Sequence, residues 1–467
     1  TRNIEVTGTV GIADTDIFHR LRLCGNDRVA MQVYAAAATL GLAVPDDLSI
    51  IGFDDMSIIT ETLHPRLTSV ALPYFDIGRI AVETLAAALG TAAFGQTTVT
   101  AVPGEAAASK YASISQEILR AIEKGNEYLK SKQNPEGYWA QPSYPALTAL
   151  AVTAYMRDPA NQGKPVPEYI RKGYDFILKS QKEDGSIFNR GMSSYNTAVC
   201  MMALLAANKE EYAPAILKGR AYLIKQQNHF APDNPYNGGI GYGDKQAPPI
   251  ADLSNTSLAL EAIYYSQKLA KDGKYGEQPD LDWNAATEFI NRCQQNPAVN
   301  KEPWVSNDKS QLGGFVYRPG VSSARDKKAA AFDKAEPPKA YGSMTYAGMQ
   351  SLIYANVDKN DPRVKLALKW LENSYSLDEN PGMGVQGLYY YYQAMSKALS
   401  AMGIDTLTLE NGRKVDWRDE LANKLISIQK SDGSWVNTNN RWWEADPVLV
   451  TSYCVLALEQ LYHSIPR

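Results

Sequence analysis

The chain has 467 residues, 45% hydrophobic and 21% charged, with a formal net charge of −4. This is the balance of a globular protein of two to four domains, and without a basic block it excludes an extended nucleic-acid surface. Cys24, Cys200, Cys293 and Cys454 lack the spacing of a zinc site or a disulfide framework, no apolar run reaches transmembrane length, and the first residues lack a signal peptide's charged start and apolar core.

From the N-terminus, residues 24–31 lead into a helical pattern ending at Gly41. Val44-Pro45-Asp46-Asp47 turns the chain into a β-rich stretch, Leu48 to Phe53, followed by Asp54-Asp55. The alternation reads as a βαβ fragment. Residues 18–23, where such a fragment needs a buried strand, are too basic for one. With His64-Pro65-Arg66-Leu67-Thr68-Ser69-Val70 and Gly78-Arg79-Ile80-Ala81, the stretch 18–90 resembles the LacI/GalR regulator family, in the C-terminal part of its sugar-binding domain. The resemblance implies ligand contacts at Asn26 and Asp54. That family binds its ligand between two lobes, and most of both is missing, as is a helix-turn-helix segment. Residues 1–95 therefore read as a truncated α/β fragment, the remnant of a sugar-responsive regulator joined by fusion.

Residues 96–114 read as a linker. Just before it, Leu85 to Gly95 fits the last helix of the fragment. The same run also resembles the core of a signal peptide, now internal, which would make the ancestor of the C-terminal region an exported protein; a cytoplasmic chain is the alternative.

Beyond the linker one pattern keeps returning. Lys124-Gly125, Tyr128-Leu129, Gln133, Gly137 and Trp139 set it. It recurs around Gln181 and Gly185, Gln227 and Gly239, and Gln294 and Gly314, then with Tyr375 in the glutamine's place, and finally around Gln429, Gly433 and Trp435. The anchors lie 48, 46, 67, 81 and 54 residues apart. Each closes an amphipathic helix, and a more apolar helix follows, over 146–156, 195–207, 256–266, 344–355, 388–399 and 450–461. Six pairs in series predict a mainly α fold, an (α/α)6 toroid over 115–467 with the apolar helices inside. The glutamine is expected to bond the start of the next turn and tie one outer helix to the next. The two long intervals hold loop-like segments, 229–251 and 296–341.

This pattern resembles the QW repeat of the terpenoid cyclase and protein prenyltransferase superfamily. The resemblance implies catalytic groups at the heads of the inner helices, an apolar isoprenoid partner, no cofactor, and room for peripheral contact with a membrane. Zinc-dependent prenyltransferases need Asp, Cys and His there. Val450 stands where the histidine belongs and residues 341–344 where Asp-x-Cys belongs, so no metal is implied. Squalene–hopene-type cyclases use Asp-x-Asp-Asp-Thr, whose central Asp protonates an alkene. Here the stretch reads Asp252-Leu253-Ser254-Asn255-Thr256, and serine is too weak an acid.

Substitute acids are Glu444 and Asp446, beside Trp442-Trp443, with Asp252 as a third candidate. Asp446, before Pro447 at a common helix start, and Asp252 also suit helix caps. Tyr195, Tyr264, Tyr346 and Tyr389 on inner helices supply aromatic faces for a cation or for packing. Ser254, Asn255, Trp442 and Trp443 complete the candidate ligand wall, and Arg318 is a candidate for an anionic group. Three functions fit: a squalene–hopene-cyclase-like enzyme with a degenerate acid motif, a non-catalytic toroid that binds its ligand, or a carbohydrate-active barrel using Glu444 and Asp446.

Overall fold

The computed structural model describes residues 21–23, 27–53, 63–70, 103–243, 250–324 and 337–465. The chain divides into two compact units, Thr1–Ser109 and Lys110–Arg467.

In the first unit, β1 (Leu21–Leu23), β2 (Ser49–Phe53) and β3 (Thr68–Val70) form a parallel sheet with β2 central. Helix α1 (Asp27–Thr39) packs on β2, and Ala30, Ile50 and Leu67 form a small core. The βαβ reading holds. The basic segment before residue 24 does form a strand, contrary to expectation. It lies at the sheet's edge, where one side of the ladder suffices and a charged residue is tolerated. Asn26 and Asp54 lie outside the described residues.

The second unit alternates outer and inner helices. The outer ones are α2 (Pro103–Ser131), α4 (Glu168–Lys179), α6 (Ala213–Lys225), α9 (Trp283–Cys293), α11 (Pro362–Asn373) and α13 (Trp417–Ser427). The inner ones are α3 (Pro145–Arg157), α5 (Ser193–Ala206), α7 (Leu253–Tyr265), α10 (Gly342–Tyr354), α12 (Leu388–Met402) and α14 (Pro447–Ser464). A short α8 (Gln267–Lys271) extends α7, and a small hairpin, β4 (Leu407–Thr408) and β5 (Lys414–Val415), precedes α13. Each inner helix packs on the next, α3 on α5, α5 on α7, α7 on α10, α10 on α12, α12 on α14, and α14 returns to α3. The ring is closed, and the fold is a mainly α toroid. Inner-helix boundaries fall within three residues of the expected ones. Helix α2 begins inside the segment read as linker, because Ala106, Ala107 and Ala108 are strong helix formers.

The recurring glutamine does what its spacing predicts. Gln133 Nε2 donates to its own turn at Gly137 O (3.0 Å) and to Tyr169 O in the first turn of α4 (2.7 Å). Gln181 reaches Ala215 O of α6, Gln227 reaches Asp282 O before α9, and Gln294 reaches Arg363 O of α11. Tyr375 takes over in the fifth repeat, its hydroxyl donating to Glu420 of α13 (2.9 Å). Gln429 then donates to Ala121 O of α2 and closes the circle (2.9 Å).

In the third and fourth repeats the turn glycine is Gly238 and Gly313, one residue before those expected. Both have left-handed φ, +83° and +92°, and a Cβ there would stand within 2.2 Å of a backbone carbonyl oxygen of the next outer helix. Only glycine allows that approach.

A second staple was not anticipated. Two residues after the turn glycine, a backbone N–H donates to a threonine hydroxyl on the following inner helix. The pairs are Trp139 with Thr148, Ile187 with Thr197, Ile240 with Thr256, Phe315 with Thr345, and Trp435 with Thr451, at 2.8–3.1 Å. Each satisfies a buried donor that would otherwise be costly.

Candidate functional site

The heads of the inner helices surround a cavity of about 510 Å³, a volume suited to one small molecule. Its wall is mostly aromatic. Tyr144 and Tyr341 stand immediately before α3 and α10, Tyr195 on α5, Tyr390 on α12 and Tyr453 on α14. Tyr242 and Tyr317 come from the long loops, and Trp442 and Trp443 from the turn before α14. Leu147, Met192, Leu258, Met344 and Leu449 fill the spaces between the rings, and Ser254, Asn255, Ser343 and Glu444 are the polar groups.

The floor is a waist. Tyr195, Leu258, Tyr390 and Tyr453 also border a smaller chamber of about 80 Å³ beneath, where Lys397 pairs with Glu261 at 2.5 Å. Tyr390 and Tyr453 pack against each other there, 5.9 Å between ring centroids. At the mouth, Trp442 and Trp443 are 45% and 39% exposed and both left-handed, with φ of 57° and 66°. Such a backbone persists only when its surroundings hold it. Here Trp443 packs on Tyr144 (4.7 Å between centroids) and the Arg441 guanidinium lies 4.4 Å over Trp442.

All three candidate acids cap helices. Asp252 is buried at the N-cap of α7 and accepts from Asn255 N–H and Asn255 Nδ2, both at 2.8 Å. Burial pushes its carboxyl up to about 6, against the pull of those bonds, of Tyr317 and of Arg318. It lies behind the cavity wall, which Ser254 and Asn255 form. Glu444 is buried on the wall, but one oxygen accepts from Tyr390 N–H at the start of α12 (2.8 Å) and the other from Asn437 Nδ2 (2.7 Å). Burial raises its pKa, opposed by these bonds. Asp446 caps α14 through Val448 N–H (2.8 Å) and borders, with Gln141 and Asn440, a crevice that adjoins the cavity at Leu147, Trp443 and Leu449. Thr256, which the cyclase motif shares, is one of five equivalent staples and so belongs to the repeat.

The structure brings Tyr195, Ser254, Asn255, Trp442, Trp443 and Glu444 to one cavity. Three expected aromatics lie elsewhere. Tyr264 is 36% exposed at the far end of α7, against Tyr354. Tyr346 is buried against Tyr391, and Tyr389 donates to Val436 O while its neighbour Tyr390 faces the cavity. Arg318 sits in a tight turn closed onto Val321, near Asp252 and off the wall. Tyr144 and Tyr341 were missed although they stand, like Asp252, just before an inner helix. Among the described residues no cluster of His, Cys, Asp and Glu could hold a metal, and no helix is long and apolar enough to cross a membrane.

Comparison with known proteins separates the two units. Residues 19–106 match a family model described as a periplasmic binding protein-like domain. The ribose operon repressor of Haemophilus influenzae is 40% identical over 62 residues, 13% of this chain and 18% of the repressor. Catabolite control protein A of Priestia megaterium is 46% identical over 61 residues, again 13% and 18%. The chain thus spans about a fifth of the length of these curated relatives. Among solved structures, the type II terpene cyclase MstE from Scytonema aligns over 75% of this chain and 99% of its own, at 11% identity and a TM-score of 0.45. The Candida albicans protein geranylgeranyltransferase-I aligns over 73% and 91%, at 14% identity and a TM-score of 0.46.

Proposed function

We propose that the toroid binds an apolar, isoprenoid-class molecule inside the ring of inner helices, as a binding protein on a cyclase-like frame. The observation that carries this reading is the cavity wall. Nine aromatic rings and five aliphatic side chains face the space, while every candidate carboxylate is committed to a helix start. Apolar area removed from water stabilises such a complex by roughly 25 cal/mol per Å² before the costs of association. Protonating an alkene instead requires an acid aimed at the ligand, and Ser254 stands at that position.

Acid-initiated cyclisation is the second reading, and one observation favours it. Asp252, with its carboxyl raised to about 6, lies directly behind Ser254 and Asn255 and keeps a protonated fraction near neutral pH. A carbohydrate-active site has less support, since Glu444 and Asp446 are each committed to backbone N–H groups at a helix start. The test incubates the full chain with farnesol, geranylgeraniol and squalene, follows retention by native mass spectrometry and looks for cyclised products by gas chromatography. Retention without new products is expected. A cyclised product lost in Asp252→Asn would establish the second reading, and no retained isoprenoid would sink both.

A further inference from the structure

The cavity is open at the mouth and shut at the waist. Tyr195, Leu258, Tyr390 and Tyr453 border both the cavity and the chamber beneath, so they form a partition one side chain thick. Leu258 is its one aliphatic member, on α7 about a turn below Ser254. It is only partly buried although it points into the ring, because it faces a space on each side. Below the partition the chamber wall is apolar, with Leu150, Val199, Met202 and Leu456. The Lys397–Glu261 pair comes only at the bottom, Lys397 lying about two turns beyond Tyr390 on α12, roughly 10 Å. Whichever end of a linear ligand enters first therefore meets the partition, with apolar space beyond it.

Volume sets the scale. At the ~30 Å³ that a water molecule occupies in the liquid, taken as the share of each non-hydrogen atom, the 510 Å³ cavity holds about 17 atoms, close to an alcohol of three isoprene units. Truncating Leu258 to alanine removes three carbons from the partition. With the 80 Å³ beneath, that makes room for roughly one more isoprene unit. Resting on the apolar-ligand reading above, we propose that the partition limits the ligand to three isoprene units and that the size of Leu258 sets this limit. A longer chain leaves its extra unit at the mouth in water and gains nothing from it.

The test measures equilibrium binding to the full chain, by quenching of tryptophan fluorescence, for geraniol, farnesol and geranylgeraniol, which have two, three and four units. In the unaltered chain farnesol should bind at least about tenfold tighter than geraniol, with geranylgeraniol within about threefold of farnesol. In Leu258→Ala geranylgeraniol should become at least about tenfold tighter than farnesol. Met344→Ala removes as many atoms from the wall on the mouth side of the partition; it should weaken both alcohols without reversing their order. The unaltered chain decides by itself if Leu258→Ala fails to fold: an affinity that keeps climbing as steeply from three units to four overturns the limit. An unchanged order in Leu258→Ala, or the same reversal in Met344→Ala, removes Leu258 as its determinant and leaves the apolar cavity standing. Failure of all three alcohols to bind removes the apolar-ligand reading and this proposal together.

Discussion

Replacing Gln294 by methionine keeps the length of the side chain and deletes its amide. In the folded toroid Gln294 is 1% exposed; it donates to Gly313 O at 3.1 Å and Arg363 O at 2.9 Å, and accepts from Asn296 Nδ2 at 3.1 Å. Two donated bonds at a net ~0.5–1.5 kcal/mol each, with the carbonyls left behind in a dry site, give a loss of about 2–4 kcal/mol. Gln181 makes the same pair of bonds, to Gly185 O and Ala215 O, but is only half-buried, and water can replace its amide. Gln181→Met should therefore cost about 1 kcal/mol. Urea unfolding followed by tryptophan fluorescence reads the difference. With a slope of about 3 kcal/mol per M, the midpoint should fall by roughly 1 M for Gln294→Met and about 0.3 M for Gln181→Met. Equal shifts, or a loss below about 0.5 kcal/mol at Gln294, would refute the view that burial sets the strength of each link.

Other substitutions probe separate features of the toroid. Asp252 has a folded pKa of about 6, raised from 3.8, so the folded state binds the extra proton between those values. Its contribution to stability is therefore greatest in acid and is lost as pH rises through about 6, an effect on the order of 3 kcal/mol. In Asp252→Asn the pH dependence of the urea midpoint between pH 4 and 6 should flatten by that amount; an unchanged slope contradicts it. Thr256→Val strands the buried Ile240 N–H, and Thr345→Val strands that of Phe315; each should cost about 1–3 kcal/mol in urea titrations. Similar losses, with ligand retention unchanged in both, mark Thr256 as part of the repeat, whereas loss of retention in Thr256→Val alone would assign it to the site. Gly313→Ala forces a left-handed alanine against Leu366 O and should destabilise by more than about 3 kcal/mol, seen as loss of soluble protein or a large midpoint shift, while Gly314→Ala tests the neighbouring position without the φ penalty.

Much of the fold was legible because its signals are local. Glutamine, a turn glycine and an apolar run recur in register, and they located all six inner helices. The misplacement at Gly239 and Gly314 came from reading the second glycine of a pair. The residue two beyond the turn glycine is large and apolar in the regular repeats, Trp139, Ile187 and Trp435, and the same rule picks Gly238 before Ile240 and Gly313 before Phe315. The threonines were equally readable, one near the head of five of the six inner helices, and comparing those heads would have taken Thr256 out of the acid motif. The site was less legible because helical membership does not fix rotation. In the run Tyr389 to Tyr392, three rings pack into the wall between helices and only Tyr390 faces the cavity, a choice made by partners distant in sequence. Tyr242 and Tyr317 come from loops with no periodicity to read.

The five links from Gln133 to Tyr375 and Gln429's single return differ in one respect. The first five join residues 34 to 69 apart, so each can form as soon as the next repeat has emerged. The bond from Gln429 to Ala121 spans 308 residues and needs both ends of the toroid at once. Assembly up to that point resembles stacking an open crescent, repeat upon repeat, with short loops to close. The last link makes every earlier one mutually dependent, because opening any seam then loosens the whole circumference. A linear array of helical hairpins frays from its ends; a circular one has none, and its unfolding must begin by rupture.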